Sequence, residues 1–259
     1  MARRGRRSLV VLVVLVVVLA GLFVVADRVA ANVAESRISE QAATEMRNRG
    51  ITSAQEPDVS VGGFPFLTQV LAGTYQKVTI SVDQPQSGRV KLQHLTIEAN
   101  QVHAPLNTLT SGQGQVTADS VTGTAKLGWD VVQSLIDQTP LRQIPGLDAS
   151  QLKVAVDNNK LTMSAPVSFA GLKLTLVASG TLTVANGEVR VQIEDLRTES
   201  GGATSSVSKD FINRFRDAFN VKIDVPQMPY KLVINKVQTT SEGITVTATA
   251  ANVVLAGQA

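Results

Sequence analysis

Residues 9–26, from Leu9 to Ala26, form an unbroken uncharged run dominated by Val and Leu. As a helix these 18 residues rise ~27 Å, close to the ~30 Å hydrocarbon core of a bilayer. Arg3, Arg4, Arg6 and Arg7 precede the run and Asp27 follows it. Positive flanks stay in the cytoplasm, so everything after Asp27 is predicted to face outward. A cleaved signal peptide has a shorter apolar region of ~7–15 residues, although Val24 and Ala26 could serve as the small residues of a cleavage site. Length favours an uncleaved, single-pass anchor in the cell membrane. Either reading exports the remainder, into the periplasmic space if the segment is cleaved.

Residues 27–49 change to a helical period, with Ala30, Ala34, Ile38, Ala42 and Met46 four apart on one face. Arg47, Arg49 and Gly50 suit its C-terminal end. From about residue 58 the period becomes two. Val78, Ile80 and Val82 alternate with polar neighbours, and the parity changes between Val90-x-Leu92 and Leu95-x-Ile97, which predicts a bulge or break at His94. Leu152, Val154 and Val156 lead to the turn at 157–159, and Leu161, Met163 and Ala165 return. Alternation runs longest from Leu172 to Val184, and Asn186-Gly187 then predicts a tight hairpin into Val189, Val191 and Ile193. A last hairpin joins Tyr230, Leu232 and Ile234 to Ile244 and Val246 through 241–243.

Two helices interrupt these strands. Asp130 and Gln133 resemble a capping box ahead of Val132, Leu135 and Ile136. Val207, Phe211, Phe215 and Phe219 then make an apolar stripe opposite Lys209, Asp210, Asn213, Arg214 and Asp217. Residues 200–206 read as a flexible loop. The predicted class is α+β: long twisted antiparallel sheet with a few helices against it. The predicted organisation is an anchor over 1–26 and one body over 27–259, made of a helix at 27–49 and a strand-rich part from 58 on.

Composition narrows what such a body does. The chain has 24 Lys+Arg and 21 Asp+Glu for a formal charge of +3, but four of the arginines precede the apolar run and no acid does. The body alone is near neutral and only 4% of the chain is aromatic, which argues against nucleic acid. The absence of cysteine excludes thiol nucleophiles, Cys-ligated metal and lipid attachment through an N-terminal Cys. His94 and His103 fall on opposite faces of a continuous strand, which argues against a shared metal. Gly112-Gln113-Gly114 reads as a turn, and Glu194-Asp195 as solvated carboxylates on a hairpin. No constellation for catalysis, no metal site and no cofactor are predicted, so the chain does not read as an enzyme.

What remains is apolar shape. Long strands with small aliphatic interiors and few covering helices either close on a packed core or leave an elongated cavity for a hydrocarbon ligand. The segment Gly62-Gly63-Phe64-Pro65-Phe66-Leu67, continuing through Val70 and Leu71 to Gly73, is an apolar wedge between glycines. It suits a pocket mouth or membrane contact, or else a core-filling loop.

Gly63-Phe64-Pro65-Phe66-Leu67, with Leu71, Gly73, Tyr75 and Val78, resembles the signature of the LmeA-like phospholipid-binding proteins of actinobacteria. The likeness continues through residues 95–106 and 123–132 and covers nearly the whole chain. It implies a tubular lipid-binding domain similar to half of a bactericidal permeability-increasing protein, with sheet wrapped around a helix and acyl chains. It further implies binding of anionic phospholipid such as phosphatidylinositol, and a role in assembling envelope lipoglycans, with an envelope glycosyltransferase as a candidate partner. The expected lipid contacts are Phe64, Phe66, Leu67, Val70, Leu71, Trp129, Leu135, Ile136, Phe211, Phe215 and Phe219. The expected function is extracytoplasmic, membrane-associated phospholipid binding or transfer. The alternative is an adaptor that docks an envelope enzyme and carries no lipid.

Overall fold

The computed structural model describes residues 2–88, 90–111, 113–138, 151–157, 160–169, 172–185, 187–200, 203–206, 222–223 and 232–256. The stripe Val207, Phe211, Phe215, Phe219 lies outside the described residues, as do the turn at 158–159 and Tyr230.

The apolar run and the helix expected after it are one continuous helix, α1 (Ala2–Asn48). Nothing at the Ala26–Asp27 junction breaks a helix: there is no proline, and Ala, Val and Arg flank it. The first half leaves Val10 to Leu19 and Leu22 to Val25 exposed, so that stretch has the length and composition of a membrane span or signal sequence. The second half packs on the body. Its buried positions are Asp27, Ala31 and Ala43, and the predicted Ala30, Ala34 and Ile38 are partly buried against the core cluster that holds Ala31. Gly50, at φ +70°, closes the helix with its N–H on the Arg47 carbonyl.

Every strand pairing among the described residues is antiparallel. A short sheet joins β1 (Ile51–Thr52), β4 (Gln86–Ser87) and β5 (Val90–Lys91). Two larger sheets follow. The first runs β14 (Val233–Thr240), β15 (Gly243–Ala256), β7 (Val116–Gly128), β6 (His94–His103), β3 (Thr74–Asp83), β2 (Asp58–Gly62). The second runs β12 (Ala203–Ser206), β11 (Glu188–Ser200), β10 (Leu172–Ala185), β9 (Lys160–Phe169), β8 (Lys153–Asp157), with β13 (Lys222–Ile223) also on β11. Over the described residues both are open sheets rather than closed barrels. Three helices complete the described chain: α2 (Phe66–Ala72), α3 (Leu106–Ser111) and α4 (Trp129–Gln138).

The parity change at His94 is a break, because β5 and β6 belong to different sheets. Residues 203–206 are a strand paired with β11, which corrects the expectation of a loop over 200–206: Thr and Ser extend readily when a neighbouring edge is available. The capping box is corrected too. The helix begins at Trp129, so Asp130 lies in its first turn. Gln133 instead reaches the edge strand β8, donating to the Leu152 carbonyl and accepting from the Val154 N–H.

The first sheet is creased. Its inward side chains step by three at one level in four adjacent strands: Tyr75 to Val78, Val102 to Ala99, Ala118 to Val121, Val253 to Ala250. The extra residues Gln76, Gln101, Asp119 and Asn252 drop out of the pairing register, with Gln101 and Asn252 at positive φ. One insertion per strand at the same level re-aims the side chains without shifting the register. The second sheet carries a bulge beside Gly180, where Glu194 is the extra residue. A side chain at Gly180 would strike the Gln192 carbonyl, so β11 approaches there only because the position is glycine.

Candidate functional site

Beyond the crease, side chains line up across the first sheet in apolar rows. One row is Val59, Ile80, Ile97, Gly123, Ala248 and Ile234; the next is Val82, Leu95, Ala125, Val246 and Val237. The opposite face carries Thr79, Thr96, Thr122, Thr124, Thr245 and Thr247 in the same register. Alternation of β-branched polar residues with aliphatics gives this division. The rims of the apolar face are packed, at Val59, Val61, Val82 and Ile234. Its middle is only partly buried, at Ile80, Leu95, Ile97, Ala125 and Val246. A Cβ built on Gly123, in that middle, meets nothing within 4 Å.

The second sheet turns its own apolar face inward through Leu161, Met163, Ala165, Leu176, Ala178 and Leu196, all buried. Trp129 packs against this cluster and donates from Nε1 to the Thr240 carbonyl, 3.2 Å away, which ties α4 to the hairpin end of the first sheet. The two apolar faces meet where Val189, Ile234 and Ala248 are buried together beside Leu182 and Val246. The described aliphatic surface thus passes from one sheet to the other.

The Phe-Pro-Phe wedge lies at the end of the first sheet where α1 joins the body. Phe64-Pro65 is a cis peptide bond, Pro65 caps α2, and Gly73, at φ +66°, ends it. Gly73 is fixed by space as well as by backbone, because a Cβ there would press on Pro105. The two phenylalanines part company. Phe66 is buried among Ala31, Val61, Val102 and Ala118, its ring centroid 6.1 Å from that of Tyr75. Phe64 is 56% exposed, with the Arg28 guanidinium 5.0 Å from its ring centroid. Along α2, Val70 packs inward and Leu67 is half-buried, whereas Leu71 is 83% exposed.

Two polar side chains lock this wedge. Asp27 is wholly buried, yet its Oδ1 accepts the Leu67 N–H at 2.8 Å and its Oδ2 accepts from Arg28 at 2.9 Å. Burial by itself would raise the Asp27 carboxyl; the Leu67 and Phe66 amides and Arg28 outweigh it and hold the group below the usual carboxylate value. Gln69, also buried, donates to the Gly62 carbonyl and accepts from the Gln76 N–H, joining α2 to both strands that flank it. Glu35 adds a third tie from α1, accepting the Val61 N–H of edge strand β2 at 2.8 Å. The Tyr75 hydroxyl, buried beside Phe66, has its pKa raised by desolvation.

The remaining chemistry-bearing residues are dispersed. His94 faces Asp83 at 2.7 Å and His103 faces Asp119 at 3.2 Å, two separate surface pairs at opposite ends of β6. Glu194 accepts from Lys160 at 2.7 Å and from Thr181 at 3.1 Å. The hydrogen bond from Lys160, then that from Thr181, depresses the Glu194 carboxyl, and the hydrogen bond to Glu194 and its charge raise the Lys160 ammonium. Among the described residues no group of three or more His, Asp or Glu side chains converges on a metal-sized space. A groove of about 370 Å³ lies at the other end of the body half of α1, lined by Ala43, Met46, Arg47, Ile51 and Pro57.

Of the residues expected to contact lipid, Phe66, Val70 and Trp129 pack in or against the described cores, and Phe64 and Leu71 stand outside. Leu135 and Ile136 belong to α4, and Phe211, Phe215 and Phe219 lie outside the described residues. Sequence reasoning missed Asp27, Gln69 and Gly123. For Gln69 a signal existed: one amide inside an apolar segment bounded by glycines. Comparison with curated proteins and with solved structures returned no match. A family model does match, over residues 25–249, from the end of the apolar run to β15. With the wedge, the apolar sheet faces and the body half of α1 all inside that match, the chain belongs to the LmeA-like phospholipid-binding family.

Proposed function

We propose that the protein is an extracytoplasmic phospholipid-binding or lipid-transfer protein, anchored by residues 9–26, whose body after residue 26 holds acyl chains along the apolar faces of its sheets. The observation that carries this reading is the half-covered middle of the first sheet. Five aliphatic residues there stay partly open around a glycine whose missing side chain leaves space. A sheet face built for a solid core would place large side chains at such a position. Acyl chains moved there leave water, at ~0.8 kcal/mol per buried CH₂. The inward rows of the first sheet carry no titratable group, which suits a hydrocarbon ligand. A tubular arrangement, with the two sheets walling one elongated space, is the architecture that joined apolar faces support best. Preference for anionic headgroups such as phosphatidylinositol, and service to envelope lipoglycan assembly, extend this reading from the family.

The test is transfer. Donor vesicles carry self-quenched fluorescent phosphatidylinositol, and acceptor vesicles carry the full-length protein. Dequenching faster than with protein-free acceptors is expected, and faster for phosphatidylinositol than for phosphatidylcholine. Rates equal to the protein-free control contradict the carrier reading and favour the adaptor.

A further inference from the structure

We infer that the corner formed by Phe64, Leu71 and Leu106 is a docking surface for the bilayer that α1 spans, so that the body rests on the membrane instead of swinging from a tether. The inference relies on the anchoring reading above. Three observations place the corner at the membrane. First, α1 passes from its apolar half into the body without a break, and Asp27, its first charged residue after the apolar run, accepts the Leu67 N–H at 2.8 Å. The first turn of α2 therefore sits within one side chain's reach of the helix exit, while the headgroup layer on each side is ~5–7 Å deep.

Second, this corner leaves large apolar side chains exposed. Leu71 and Phe64 are named above, and Leu106 is half exposed. Leu106 is brought to α2 by Pro105, which lies against Gly73, and by the Ala104 N–H on the Gly73 carbonyl. On α1 the apolar exposure continues one turn past the junction at Val29. Third, Arg28 stands at the same level with its guanidinium over the Phe64 ring and its charge paired with Asp27. An aromatic ring beside a long cation is the pairing that settles at a headgroup boundary. A bilayer covers all of these residues at once because it already surrounds the helix that leads into them.

The absence of cysteine makes the test direct. Single cysteines are placed at Leu71, at Gln55 and at Val17 of the full-length protein, reconstituted in phosphatidylcholine–phosphatidylinositol vesicles. Gln55 serves as the distal control, because it lines the groove at the end of the body half of α1, ~30 Å along the helix from Asp27. Leu71→Cys is expected to react about tenfold more slowly than Gln55→Cys with a water-soluble maleimide, and a fluorophore on it to be quenched by headgroup-level spin-labelled lipid. The Val17 label reads the span separately. Val17 in hydrocarbon with Leu71 as reactive as Gln55 overturns the docking surface and leaves the anchor standing. A Val17 label in water overturns both. Protection at Leu71 that falls with dilution of protein in lipid assigns the corner to a second copy and likewise overturns the inference.

Discussion

Phe64 and Phe66 stand two positions apart and have different work. Phe66 fills the space between α1 and the creased end of the sheet, so Phe66→Ala is expected to cost ~3–5 kcal/mol in chemical denaturation. Phe64 keeps more than half its surface in solvent and loses mainly its contact with Arg28, so Phe64→Ala should cost no more than ~1 kcal/mol. Asp27 makes a prediction with a sign. Its folded-state pKa is lowered, so its stabilisation is present above the unfolded value of ~3.9 and fades as pH falls through the folded value. Asp27→Asn should therefore melt below wild type at neutral pH. The gap should close progressively under acid, read by melting curves from neutral pH down to the acid limit of folding.

At the scale of elements, alternation was legible wherever one strand face is apolar and the other polar. The boundaries of β3, β10 and the β14–β15 hairpin lie within a few residues of what Val78-x-Ile80, Leu172 to Val184 and Gly243 announce. The crease was not legible. Each strand taken singly shows an inward pattern that merely ends near Gln76, Gln101, Asp119 or Asn252, and the steps mean something only once four strands are in register. The Gln133 tie escaped for a related reason, since a capping box and a clamp on a distant strand edge use the same residue. Replacing Gln133 by Leu leaves the Leu152 carbonyl and the Val154 N–H without that side chain and is expected to cost ~1–3 kcal/mol by denaturation. The wedge was legible as a unit, because Gly-Phe-Pro-Phe-Leu is apolar and bounded by glycines. Which ring turns inward was not, because that depends on where Asp27 and Gln69 fasten α2.

At the scale of the molecule, one long helix, apolar and exposed in its first half, leads into a body whose two main sheets join their apolar faces. Gly123 gives the sharpest separation between folding and ligand binding. A Cβ there meets no atom within 4 Å, so Gly123→Leu should leave denaturation stability within ~1 kcal/mol of wild type, while occupying the room proposed for an acyl chain. Phospholipid transfer should fall severalfold with the fold intact. The most direct measurement is to locate the lipid. The full-length protein is placed in vesicles containing a phosphatidylinositol with a photoactivatable acyl chain, irradiated, and digested for mass spectrometry. Adducts on Leu95, Ile97 and Val246, lost in Gly123→Leu, are the predicted result. Adducts confined to residues 9–26 and to the outer corner at Phe64 and Leu71 would mean that lipid only surrounds the protein, and would contradict an acyl chain held inside it.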